Sequence, residues 1–186
     1  MPFKQGLTQS EKAYNQLTDT SSLFAKIVKE DFLFTWQWWF GIALFVIPWI
    51  AWFFLRKKES TGRLLLGGLM TIILSLTIDL AALSTGLWSY PMVIVPVAPF
   101  LFLPYHFSLA PVGVMFALQI KPNMNSLFKG VIFSAAAAFL GMNFFRIIGF
   151  YNPKHWSSWY DFCIFLLLYY VAYFLVKLES FKKMHT

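Results

Sequence analysis

Four long apolar runs, Trp36–Leu55, Leu64–Leu83, Leu127–Ile148 and Trp159–Leu178, constrain this 186-residue chain more than any other feature. Crossing the hydrocarbon of a bilayer takes about 20 residues at 1.5 Å each. Lipid offers no partner to a bare backbone, so runs of this length must close their own hydrogen-bond ladders as helices. The expected fold class is all-α, a polytopic integral membrane helical bundle. The charge content agrees: only 12% of residues are charged, about half the share in an ordinary soluble domain.

Between the second and third runs lie residues 92–120, interrupted by Pro96, Pro99, Pro104 and Pro111. This Pro-broken central segment crosses either once or twice, giving five crossings or six. With a single crossing, the loops RKKESTGR and KPNMNSLFK and the tail KLESFKK share one side with nine Lys/Arg, against Arg146 and Lys154 opposite. Basic loops face the cytoplasm, so the count favours five crossings, with the N-terminus outside and the C-terminus cytoplasmic. Prolines at membrane depth survive only where protein or water covers the backbone. Residues 92–120 are therefore expected inside the bundle, as a cavity lining or as a kinked packing helix.

The domain reading is a polar N-terminal arm (1–35), a transmembrane bundle (36–178) and a basic cytoplasmic tail (179–186). Within the arm, residues 23–34 have helical spacing, with Ser21 or Ser22 as cap. They are read as an interfacial amphipathic helix or as an extension of the first span. The charge of +7 sits between apolar runs, which points to anionic lipid headgroups and topology rather than to nucleic acid. Trp36, Trp38, Trp39, Trp88, Tyr90, Trp156, Trp159 and Tyr160 mark the outer interface. Cys163, the sole cysteine, excludes an internal disulfide and reads as a buried small hydrophobe.

Asp79 is the residue that an apolar run should reject. By helical rise it lies at an outer-leaflet depth similar to that of Arg146, and an ionisable group there needs a partner or water. An Asp79–Arg146 pair, or an outward-opening pocket shared by the two, is expected, with Asn143 on the Arg146 face. The plainer alternative is a structural staple, or Arg146 reaching the headgroups. His106 lies mid-way along the broken segment. Its imidazole suits proton transfer, but a buried, hydrogen-bonded ring is the expectation. Gln119 is expected to bond between helices. Asp161 is expected at the outer interface with its carboxylate in water. Gly67, Gly68 and Gly141 are read as packing glycines.

No metal site is expected, because zinc needs three or four ligands and His155 and His185 lie apart from His106. The common phosphate-binding, dinucleotide-binding, metalloprotease and serine-hydrolase signatures are absent, so no cofactor is expected.

The stretch TIDLAALSTGLWSYP, with Asp79, Trp88, Tyr90 and Pro91, precedes Pro111-Val112 and Gln119, and later the Gly149 to Trp159 stretch. This pattern resembles a family of small, largely uncharacterised multi-spanning membrane proteins of spore-forming Gram-positive bacteria, over roughly residues 36–178. A more distant likeness is to the heterodimeric-type lycopene (carotenoid) cyclases. There an Asp and Trp-x-Tyr region precedes paired carboxylates that are thought to protonate the polyene. Here VPVAPFLFLPYHF carries no carboxylate, and His106 stands where an acid would be wanted. Alkene protonation needs an acid held neutral in an apolar site, so cyclase chemistry does not carry over.

Three functions compete. The first is a plasma-membrane protein that binds or senses a lipid or hydrophobic ligand, as an accessory subunit in envelope or spore physiology. Its ligand residues would be Asp79, Trp88, Tyr90, His106, Gln119, Asn143 and Arg146. The second is a lipid- or isoprenoid-modifying enzyme, with Asp79 and His106 as catalytic candidates. A transporter or channel is the third, disfavoured because no inverted repeat is evident. Expected partners are membrane lipids, a hydrophobic ligand, and a second copy or another membrane protein.

Overall fold

The computed structural model describes residues 2–96 and 101–178. The expected tail with His185, and Pro99, lie outside the described residues. Four helical stretches are long and apolar enough to cross a membrane: Trp36–Leu55, Lys58–Ser84, Ser126–Ile147 and Ser158–Lys177. They fall within a few residues of the four runs read from the sequence. Their outward faces carry bare apolar side chains, with Phe54, Leu140 and Ile147 76%, 71% and 83% exposed. Exposed patches of that kind need lipid rather than water around them.

The elements run α1 (Pro2–Ile27), α2 (Trp36–Leu55), α3 (Thr61–Ser84), a π-helical turn Tyr105–Leu109 leading into α4 (Ala110–Gln119), α5 (Ser126–Ala135), a π-helical stretch Ala136–Met142, α6 (Asn143–Ile147) and α7 (Ser158–Lys177). Two short strands, β1 (Trp88–Ser89) and β2 (Asn152–Pro153), pair antiparallel at one end of the bundle. The arm differs from expectation. It is helical from Pro2, and its helix α1 has no buried residue, so Ser21 and Ser22 lie inside a helix rather than capping one. Residues such as Gln5, Glu11, Lys12, Ala13 and Leu17 are good helix formers, and local propensity carries the helix through.

Helix α3 is the axis of the bundle, packed against both α4 and α7. Neighbouring glycines make this approach close. A Cβ on Gly68 would meet Met115 Sδ at 3.0 Å, and one on Gly67 would meet Val176 Cγ2 at 3.0 Å. Gly141 is different: the nearest atom to its Cβ position is the Ala136 carbonyl oxygen at 3.9 Å. That is ordinary contact, looser than at Gly67 and Gly68, and Gly141 also lines an apolar groove.

The central segment runs the length of α2. At one end the Trp38 indole donates to the Ile94 carbonyl at 2.9 Å, and at the other Gln119 Nε2 donates to the Leu55 carbonyl at 3.2 Å. Proline shapes the path between. Pro111 has no N–H to give to the carbonyl four residues earlier, at Phe107. The Trp49 indole takes that carbonyl instead, at 2.6 Å. The orphaned acceptor is thus satisfied from α2, which turns the segment inward and buries Tyr105, His106 and Ser108.

Candidate functional site

Three polar residues, Thr71, Ser75 and Asp79, stand one turn apart on the buried face of α3. Thr71 returns its hydroxyl to the Gly67 carbonyl at 2.8 Å and needs no other partner. Ser75 and Asp79 meet the fully buried His106. Its Nε2 lies 2.8 Å from Asp79 Oδ2, and its Nδ1 lies 3.0 Å from Ser75 Oγ.

Proton counting shows what this chain of groups can do. Ser75 donates to the Ile72 carbonyl at 3.1 Å, so toward the ring it accepts, and Nδ1 carries a proton. The short Nε2–Asp79 contact then holds another proton between ring and carboxyl. The assembly is neutral whichever atom keeps it, and neutrality avoids the few kcal/mol that a lone charge costs in hydrocarbon. The arrangement is therefore a buried, fully hydrogen-bonded Asp–His–Ser group.

A second buried carboxylate stands nearby. Asp161, in the first turn of α7, is 6% exposed, contrary to its expected place in water. Pairing of β1 with β2 folds the loop before α7 over the bundle end, and the Trp156 ring lies 4.8 Å from that of Trp88. Trp156 Nε1 donates to Asp161 Oδ1 at 2.9 Å and the Tyr151 hydroxyl at 3.4 Å. Burial, with Asp161 next, raises the Tyr151 phenol above its ordinary pKa. Burial, with Asp79 next, does the same to Tyr90. Both phenols stay protonated beside the carboxylates.

Asp79, Asp161, Trp88, Tyr90, Tyr105 and Tyr151 line a cavity of about 10 Å³, which is room for one water and no more. The Trp88 indole N–H, in the same wall, has no partner among the described residues. The wall continues sideways through Tyr105, Met142 and Phe165 into an apolar groove of about 190 Å³. Through Phe133 this groove meets a further apolar cavity of about 400 Å³ that ends at Lys121 and Lys129. Together they run between the central segment and the helix that begins at Ser126, with Gly141 at one end.

Of the residues singled out from the sequence, Asp79, Trp88, Tyr90 and His106 gather here and the others do not. Arg146 is exposed, and among the described residues no ion pair joins it to Asp79, whose partner is His106. Asn143 Nδ2 donates to the Phe139 carbonyl at 3.0 Å and to Ser158 Oγ at 3.2 Å. It thus serves the π-helical stretch and the start of α7. Gln119 ties α4 to α2, and its Oε1 accepts from the Lys57 amide at 3.4 Å. Cys163 is exposed on the outer face of α7, not buried. Ser75, Tyr105, Tyr151, Trp156 and Asp161 were not anticipated as site residues. The i, i+4 spacing of Ser75 and Asp79 was the one available signal. Among the described residues, no group of three or more His, Cys, Asp or Glu gathers to hold a metal.

No protein-family model matches the chain, and neither a curated protein nor a solved structure matches it.

Proposed function

We propose that the protein is a small integral membrane protein of the plasma membrane that binds a lipid or other hydrophobic ligand along the groove between its central segment and the helix beginning at Ser126. The observation that carries this reading is continuity. The apolar groove shares Tyr105, Met142 and Phe165 with the wall of the buried Asp79 cavity. A chain-like ligand in the groove would lie beside the buried Asp79–His106 pair. The roughly 10 Å³ beside Asp79 excludes the ligand itself from the polar cavity, which revises the sequence expectation of a pocket centred on Asp79. In the same proposal the central segment is a fifth crossing. Its helical part, residues 103–119, spans about 25 Å at 1.5 Å per residue. The distribution of Lys and Arg then sets the N-terminus outside and the C-terminus in the cytoplasm. A role as an accessory subunit in envelope or spore physiology follows from the family resemblance alone.

Filling the groove tests the reading. Gly141→Phe places a ring at the groove wall, where the nearest atom to the new Cβ is the Ala136 carbonyl oxygen at 3.9 Å. It should lower the amount of co-purifying lipid, measured by native mass spectrometry, about tenfold with the melting midpoint preserved. Equal lipid retention by the variant and the parent would remove the proposal. The second reading, a lipid- or isoprenoid-modifying enzyme, draws on the Asp79–His106 contact. It requires that Asp79→Asn abolish function in a complementation assay while the variant remains folded. A structural pair would instead lose stability.

A further inference from the structure

The opposite end of the bundle holds a cavity of different character, about 450 Å³ between the loop after α4 and the last turns of α7. Its walls include Asn125, Ser126, Lys129, Tyr169, Tyr173 and Lys177. We propose that this cavity binds a phosphate group, carried by an anionic phospholipid headgroup or present as the free ion.

Four observations converge. The half-buried Lys129 gives one N–H to the Leu118 carbonyl at 3.1 Å and keeps two for a ligand. Among the described residues, no carboxylate lies within salt-bridge distance of Lys129 or Lys177, and Lys177 Nζ rests 4.8 Å from the centre of the Tyr173 ring. The cavity also contains the N-terminus of the ten-residue α5. The Asn125 side chain occupies the Leu127 amide there at 2.8 Å, and the other first-turn N–H groups have no intrahelical acceptor. Such a terminus favours anions. The independent pointer is Tyr169, which is fully buried and lines the same cavity, yet among the described residues its hydroxyl has no hydrogen-bond partner. A buried hydroxyl left bare is costly, and a phosphate oxygen would accept from it. With Lys129 and Lys177 as cations, Tyr169 as a neutral donor and the α5 amides, the site offers donors on several sides and among its six named side chains no acid.

Lys129 and Met124 also line the apolar groove. A lipid whose phosphate sits here can therefore lay a chain into that groove. The lipid form of the proposal rests on the groove reading, and the free-ion form does not.

The test uses the full chain in nanodiscs of phosphatidylcholine, titrated with inorganic phosphate, and in parallel with phosphatidylglycerol added to the discs. Melting midpoint and native mass spectrometry are the readouts. Stabilisation by phosphate in solution supports the free ion, and stabilisation by phosphatidylglycerol alone supports the headgroup. Tyr169→Phe, which removes only the bare hydroxyl, should fold as well as the parent and bind the effective probe about tenfold more weakly, as should Lys129→Gln. Gly141→Phe should block chain insertion and leave phosphate binding intact, so that loss of the groove and loss of the phosphate site read out separately. The proposal is overturned if neither probe stabilises the protein, or if Tyr169→Phe and Lys129→Gln bind as the parent does.

Discussion

Asp79 and Asp161 are two acids buried in one bundle end, yet they are kept there by different means. Asp79 lies inside α3, with its oxygen against an imidazole that can share its proton. Asp161 lies in the first turn of α7 and accepts from an indole and a phenol, neither of which can neutralise it by proton exchange. Its position does part of the work, since the positive end of a helix dipole favours an acid in the first turn. One carboxylate therefore depends on a titratable partner, the other on neutral donors and on the place where its helix begins. An acid far from a helix N-terminus needs a partner that can take or give a proton.

That contrast can be broken most sharply at His106. Replacing it with Leu strands Asp79, and loss of one member of a buried pair costs about 3–5 kcal/mol. Denaturant unfolding in detergent micelles should show this loss, and a change below about 1 kcal/mol would mean that the pair is not what retains Asp79. Asp161→Asn should cost less, about 1.5–3 kcal/mol, because both donors meet Oδ1, where an amide oxygen still accepts them and only the charge on the acceptor is lost. If Asp161→Asn proved as damaging as His106→Leu, the distinction between the two acids would fall. The smallest effect is a pH dependence carried by the phenols. Tyr90 and Tyr151 both have pKa values raised above 10.0 in the folded protein. The unfolded chain therefore loses their protons first as pH climbs. Stability should be level up to about pH 9 and then fall above pH 10, by up to about 1.4 kcal/mol per pH unit for each phenol. Tyr151→Phe should reduce the slope of that alkaline limb, and an unchanged slope would show Tyr151 to be open to water.

The number and limits of the long helices were readable from the chain because hydrocarbon imposes one length and one solution on the backbone. Asp79 and His106 were each visible as costly residues in apolar surroundings. Their meeting was not. They stand 27 residues apart, and His106 lies on a segment whose rotation is set by a missing Pro111 N–H and by the Trp49 indole that replaces it. Arg146 was assigned to Asp79 by counting helical rise along a straight helix. The π-helical stretch Ala136–Met142 intervenes, and each extra residue in such a stretch turns the remainder of the helix by about 100°. The insertion changed the direction in which Arg146 leaves the helix. Asp161 was missed for a related reason, since the β1–β2 pairing that covers it joins residues more than sixty positions apart.

Sequence alone determined that the chain is mostly helical, with four helices long and apolar enough to cross a membrane and polar residues too expensive to be incidental, because solvent transfer acts on each residue where it stands. Which of those residues face one another was decided only by tertiary structure. Proline-freed carbonyls, π turns and a two-residue strand pair rotate whole segments, and a periodic pattern records none of these rotations.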